Sequence, residues 1–254
     1  MLNWFRNKRP GTPLSAMMSY AFARQICLVL LIIFYRFRAY GSRRLPQSGA
    51  VLLIANHQSY LDPPAIGSAV SHRHLDYIAR LGLFGGTVLP WLLRQFNSLP
   101  IREQGGDTGA IKEILRRLEA GRAVLIFPEG TRTFDGAMNE FKRGIAVLVK
   151  RSHCPVIPVA VEGCFDAWPR QHKWPRFWGR RVAVSFGRPI PHDELMRDGA
   201  DAALRRLERE TQRLRLNLRQ LMLRQTDGRF PPVGPGDSSE FSTAESADPA
   251  TAAS

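Results

Sequence analysis

Two short, wholly apolar runs that each end abruptly in polar residues constrain this chain more than any other feature. Val51-Leu52-Leu53-Ile54-Ala55 runs straight into Asn56-His57, and Ala123-Val124-Leu125-Ile126-Phe127 runs into Pro128-Glu129-Gly130. Five apolar residues without alternation read as a strand covered on both faces, which is typical of parallel sheets. Residues 156–161, interrupted by Pro158, read as a third strand, and residues 182–186 as a fourth. Residues 75–78 and 98–101 add two more. Helical patterns lie between them: one opened by Asp62-Pro63, one at 88–96, one marked by Ile111, Leu115 and Leu118 that stops at Gly121, and one at 145–149. The expected fold is α/β, with a mixed, largely parallel sheet flanked by helices. Chemistry then belongs in the loops that leave strand ends.

The flanks differ from this core. Residues 1–45 are basic and apolar. Arg6, Lys8 and Arg9 precede an apolar run at 26–35, and Arg36, Arg38, Arg43 and Arg44 follow it. Ten residues are too few to span a bilayer, and the extension back to Met17 includes Arg24 and Gln25. No small-residue cleavage site follows, which argues against a signal peptide. The expectation is an N-terminal membrane-associated helical segment, lying in the interface with its arginines toward lipid phosphates, with a buried core helix as the alternative. Whether residues 17–37 span the bilayer stays open. Residues 46–225 form the expected catalytic domain. It closes on a basic helix at 204–223, with Leu204, Leu207, Leu214, Leu218 and Leu221 on one stripe and its arginines in solvent. Residues 226–254, rich in Pro, Gly, Ser and Ala, read as a disordered tail.

Lysine and arginine number 36 against 22 acidic residues, a net charge of +14. Such a chain selects anionic partners: nucleic acid, an anionic membrane face or phosphorylated substrates. No helix-turn-helix, zinc-finger or ribonucleoprotein signature accompanies the charge, so nucleic acid is the disfavoured partner. Cys27, Cys154 and Cys164 have no CxxC spacing and fit reduced thiols in a cytosolic setting. His72 and His74 lack a third nearby ligand and read as surface residues, so no metal is assigned.

Four clusters carry chemistry. Asn56-His57-Gln58-Ser59-Tyr60-Leu61-Asp62 sets a histidine at a strand end and an aspartate five residues on. A carboxylate on one imidazole nitrogen fixes the tautomer, and the other nitrogen can then accept a proton. By itself the pair fits equally an ordinary loop histidine followed by an N-cap aspartate. Phe127-Pro128-Glu129-Gly130-Thr131-Arg132-Thr133 sets a glycine turn, an arginine and two hydroxyls at another strand end. Glycine lets backbone N–H groups approach an anion, and the arginine fork suits phosphate. Phe141-Lys142-Arg143-Gly144 places two cations at a helix start, and Leu99-Pro100-Ile101-Arg102 delivers a further cation after a strand. Each of these three also fits a solvated basic turn.

These blocks, in this order, resemble the lysophosphatidate acyltransferase family, the 1-acylglycerol-3-phosphate O-acyltransferases and their relatives. His57 through Asp62 is similar to its His-x4-Asp signature. Residues 99–102 are similar to its second block, and residues 127–133 to its Phe-Pro-Glu-Gly-Thr-Arg-Ser block, with Thr133 in place of serine. Val156-Ile157-Pro158-Val159 is similar to its fourth. The resemblance spans residues 56–159. It implies an O-acyltransferase that moves a fatty acyl group from acyl-CoA or acyl carrier protein, as co-substrate rather than cofactor, to the free hydroxyl of 1-acylglycerol-3-phosphate. It implies His57 as general base and Asp62 as its orienting partner. Arg102, Glu129, Gly130, Thr131, Arg132 and Lys142 would line the acceptor site. Glu129, an anion among anion-binding groups, could instead hold a turn in place. The implied setting is the cytoplasmic face of a membrane. Another lysophospholipid, or a lyso-aminolipid, is an alternative acceptor. A non-catalytic lipid-binding protein on the same fold is the alternative of another class.

Overall fold

The structure, a computed structural model, describes residues 14–80, 98–101 and 106–238. Helix α1, Leu14–Tyr35, leads into strand β1, Arg38–Tyr40. Then come β2 Val51–Ala55, α2 Asp62–Ala69, β3 Leu75–Arg80, β4 Ser98–Ile101, α3 Gly106–Glu119 and β5 Ala123–Ile126. The chain continues through α4 Gly144–Ser152, β6 Val156–Glu162, the short α5 Cys164–Ala167, β7 Ala183–Phe186, the short α6 His192–Leu195 and the long α7 Ala200–Arg224. Among the described residues the strands form one sheet of seven, ordered β1-β7-β6-β2-β5-β3-β4. Every neighbouring pair is parallel except β6 and β7. The expected helix at 88–96 lies outside the described residues.

The apolar runs are strands for the reason their composition gives. Alternate residues of β2 feed two cores. Val51, Leu53 and Ala55 pack with α1 and α2 residues such as Tyr20, Leu31, Ala65 and Ile66. Leu52 and Ile54 pack with Leu115 of α3, Leu148 of α4 and Leu204 and Leu207 of α7. A side chain the size of leucine, fully buried, contributes about 1.5–3 kcal/mol, so a strand covered on both faces is fixed in place by its own composition. Pro158 does not break β6. Its carbonyl accepts the Gly187 N–H at 2.8 Å, and the antiparallel pairing with β7 begins one residue later, at Val159 and Phe186.

Three sequence expectations change. First, the described part of the N-terminal segment, residues 14–45, packs on the domain. Strand β1 pairs with β7 at the sheet edge, and Tyr20 of α1 stacks on His74 with ring centroids 4.0 Å apart. His74 is therefore buried rather than at the surface, and Arg73 beside it donates to the carbonyls of Pro46, Gly49 and Gly121. Second, the arginines of α7 are not all solvated. Arg215 and Arg219 are buried and both reach Glu162 at the end of β6, at 3.2 and 2.9 Å. Third, residues 226–238 are packed rather than disordered. Asp237 accepts from Arg219 at 2.6 Å, Ser238 O accepts from Gln212 at 3.0 Å, and Phe230 is buried. One charge cluster explains the second and third changes: two guanidinium groups cannot be buried without carboxylates and carbonyls around them.

Removing Glu162 leaves Arg215 without a carboxylate in a dry site. Loss of one partner from a buried ion pair typically costs about 3–5 kcal/mol. Glu162→Ala is expected to lose that much in urea-induced unfolding. A loss below about 1 kcal/mol would mean that Asp237 and the nearby carbonyls are enough to hold the two arginines.

Candidate active site

Strand β2 delivers Asn56 and His57 at its carboxyl end. The buried Asn56 amide fixes the exit direction by bonding both backbone groups of Val161 on β6, at 2.8 and 3.0 Å. The chain then turns tightly, and Asp62 gathers it in. Its Oδ2 accepts from Gln58 N at 2.6 Å, Ser59 N at 2.7 Å and His57 Nδ1 at 2.8 Å. Because a carboxylate can only accept, this contact assigns the Nδ1 proton to the Asp62 side and leaves the Nε2 lone pair for a substrate. The His57 ring lies on Phe127, centroids 4.1 Å apart, and keeps 18% of its side chain exposed while Asp62 has none. Asp62 is not the N-cap the sequence led us to expect. Leu61 holds that position, and the carboxylate turns back toward the histidine loop instead.

Strand β5 delivers the second loop beside the first. Glu129 is buried, with Oε1 accepting from His57 N at 2.6 Å and Oε2 from both the backbone and side-chain nitrogens of Asn139 at 2.9 Å. Thr133 N donates to His57 O at 2.9 Å. The second loop thus holds the histidine backbone on both sides. Burial pushes the Glu129 carboxyl up to about 8, against the N–H groups of Asn139 and His57 that pull it down. Both of its side-chain oxygens are occupied by these loop contacts.

Beyond Glu129 the loop is cationic. Gly130 has φ 74°, and the Cβ of an alanine there would fall 2.5 Å from Lys142 Cε. Glycine is needed for the turn and for the close approach of the lysine. Lys142 N donates to Pro128 O at 2.9 Å, which brings the lysine segment to the turn. The Arg132 guanidinium sits 3.5 Å above the Tyr60 ring, on the histidine loop, where cation–π attraction favours it. Arg170 Nη1 donates to Thr131 Oγ1 at 3.0 Å. The structure therefore brings His57, Asp62, Glu129, Gly130, Thr131, Arg132 and Lys142 together. Arg102 lies outside the described residues. Arg170 and Asn139 are additions. Arg170 follows α5 in a segment without periodic pattern, and Asn139 carries no motif, so neither stood out in the sequence.

Cys164 also belongs to this neighbourhood. It is fully buried, and burial pushes its thiol well above its ordinary range, with the Asp62 charge adding to the effect. A thiol held protonated is a poor nucleophile.

A histidine backed by a buried carboxylate, its backbone tied to a glycine turn that carries cationic side chains, at the strand ends of an α/β sheet, is an arrangement that suits general-base chemistry. A family model described as Acyltransferase matches residues 36–162, half of the chain, and the chain belongs to that family. Among curated proteins it is 28% identical over 139 residues to a chloroplastic 1-acyl-sn-glycerol-3-phosphate acyltransferase of Brassica napus, covering 54% of this chain and 40% of that protein. To the 1-acyl-sn-glycerol-3-phosphate acyltransferase of Bacillus subtilis it is 24% identical, covering 57% of this chain and 71% of the relative. To human 1-acyl-sn-glycerol-3-phosphate acyltransferase alpha it is 27% identical, covering 69% and 63%. Among solved structures, the fold matches that of the acyltransferase PlsC of Thermotoga maritima with a TM-score of 0.58 at 24% identity, covering 75% of this chain and 78% of that one.

Proposed function

We propose that the chain transfers a fatty acyl group from acyl-CoA or acyl carrier protein to the free hydroxyl of 1-acylglycerol-3-phosphate, giving phosphatidic acid at a membrane surface. The 2.8 Å contact between His57 Nδ1 and the buried Asp62 carboxylate carries this reading. In the reaction, His57 Nε2 takes the acceptor's hydroxyl proton as its oxygen attacks the thioester carbonyl. Asp62 stabilises the imidazolium that forms. When the tetrahedral intermediate collapses, the C–S bond breaks, and the departing thiolate takes the proton from His57. Atoms balance without an acyl-enzyme, consistent with a buried and protonated Cys164.

Arg132, Lys142 and Arg170 around Gly130 are assigned to the acceptor's phosphate, with Thr131 orienting Arg170. Glu129 is assigned to holding the His57 loop. The relatives' names support this acceptor, since those proteins are 1-acyl-sn-glycerol-3-phosphate acyltransferases. Arg132→Ala is expected to raise the acceptor's KM about 10- to 100-fold, the value of one charge-assisted contact of roughly 1.5–3 kcal/mol, and to change the donor's KM less than threefold. Acceptors without the phosphate should be insensitive to the change. Equal effects on both substrates would move Arg132 away from the phosphate.

Helix α1 supports the membrane setting. It is long and apolar enough to cross a bilayer, yet it packs along the domain through Met17, Tyr20, Leu31 and Tyr35. Its Arg24 turns inward to donate to Ser68 O at 3.0 Å. The opposite side exposes Met18, Phe22, Ile26, Val29 and Ile33. A helix apolar on both sides, with one side already on protein, fits an in-plane position with its outer face in lipid. With acyl-CoA or acyl carrier protein as the proposed donor, that surface is assigned to the cytoplasmic side.

A further inference from the structure

A cleft of about 390 Å³ lies where α1 ends, apart from the residues around His57. Four arginines line it: Arg36, Arg180, Arg181 and Arg229. None of its lining residues is acidic. Its remaining wall includes Phe34 and Trp178, whose rings meet edge to face at 5.2 Å. The nearest carboxylate pairing is Arg229 to Asp227 at 3.3 Å, with both side chains at least 80% exposed, a pair that neutralises little. Arg180 donates to the Trp178 carbonyl at 3.1 Å, and its charge also reaches Asp166. Four arginines lining one cleft without an acidic residue among its walls make it cationic and favour an anion in it.

The sheet register fixes where this cleft faces. Val182 N donates to Tyr35 O at 3.0 Å, and Arg38 N to Val182 O at 3.1 Å, so the end of α1 is tied to the start of β7. Arg38 pairs with Ala183, Ala183 with Glu162, and Val159 with Ala55. The cleft therefore lies at the same end of the sheet as His57, two to three strand spacings away, roughly 10–15 Å. It also adjoins the exposed apolar side of α1. Phe177 and Trp178, which pack on Phe34, are themselves exposed. Tryptophan and arginine beside an apolar face are the side chains that settle at the headgroup level of a bilayer.

We propose that this cleft binds the phosphate of an anionic glycerophospholipid of the membrane on which α1 lies, at a site separate from the acceptor pocket around Arg132. The bound lipid would set the orientation of the sheet's catalytic end toward the surface from which the acceptor enters. This rests on the in-plane position of α1 and not on the acyl-transfer assignment, so binding rather than turnover tests it.

The test is co-sedimentation of the full chain with vesicles of phosphatidylcholine alone and with 30 mol% phosphatidylglycerol, in three forms: wild type, Arg36→Ala/Arg229→Ala, and Arg38→Ala/Arg43→Ala. All four substituted arginines are exposed, so folding is spared. Arg38 and Arg43 lie outside the cleft and remove the same charge. Two direct charge-assisted contacts to one phosphate are worth more than diffuse attraction to the surface, so the cleft pair should lose at least about 30-fold in partitioning to phosphatidylglycerol vesicles. The control pair should lose less than about fivefold, and binding to phosphatidylcholine should not change between forms. Equal losses from the two pairs would overturn the site in favour of diffuse charge attraction. Competition by millimolar inorganic phosphate at constant ionic strength would reassign the cleft to a soluble phosphate. Failure of the wild type to bind either vesicle would overturn both the cleft and the in-plane helix, while leaving the acyl-transfer reading to its own assay.

Discussion

His57→Ala is expected to abolish acyl transfer while leaving the protein folded. A positioned general base contributes typically about 10²–10⁴-fold. The fold should survive because the surroundings stay satisfied. The two loops are tied through the His57 backbone, by Glu129 Oε1 at its N–H and Thr133 N at its carbonyl, and an alanine keeps both bonds. Asp62 loses one donor but keeps Gln58 N and Ser59 N. The ring lost is partly exposed and packs chiefly on Phe127, so the cavity is small. The expected result is a fall in kcat of at least a hundredfold with an unfolding midpoint within a few degrees of wild type. Activity near wild type would remove the base assignment. A collapse of the midpoint would make His57 structural.

Asp62→Asn is expected to have the second-largest effect, about 10²-fold or more on kcat, with the acceptor's KM little changed. Asparagine is isosteric, and its carbonyl oxygen can take the Oδ2 position and accept from Gln58 N and Ser59 N as the carboxylate does. What it cannot supply is the negative charge that stabilises an imidazolium. In the other orientation its NH₂ would face three donors, and the histidine would be driven to the wrong tautomer. Either way the loss falls on the step in which His57 carries the proton. A raised KM with unchanged kcat would place Asp62 in binding instead.

The parts of the fold that depend on composition were legible in the sequence. β2 and β5 are apolar without alternation because both faces are covered, and they end where polar loops begin. The His57–Asp62 pair was legible as a spacing, although the aspartate's role as an N-cap was not what the fold uses. Features set by distant partners were hidden. β1 is three residues of mixed character, a strand only because β7 lies beside it. Arg215 and Arg219 look like a solvated face until Glu162, more than fifty residues earlier, is brought beneath them. The same cluster orders residues 226–238, whose composition alone reads as a loose tail. Arg170 reaches Thr131 across 39 residues with no local signal. Glu129 was ambiguous for an electrostatic reason: its sign is wrong for an anion pocket, and its burial against Asn139 accounts for it.

The most direct measurement is product analysis with radiolabelled acyl-CoA and 1-acylglycerol-3-phosphate in phosphatidylglycerol-containing vesicles, repeated with acyl carrier protein as donor. The expected result is labelled phosphatidic acid formed one for one with free thiol by the wild type and by none of the His57→Ala protein. Thiol release without phosphatidic acid, or no product with either donor, would contradict the proposed reaction.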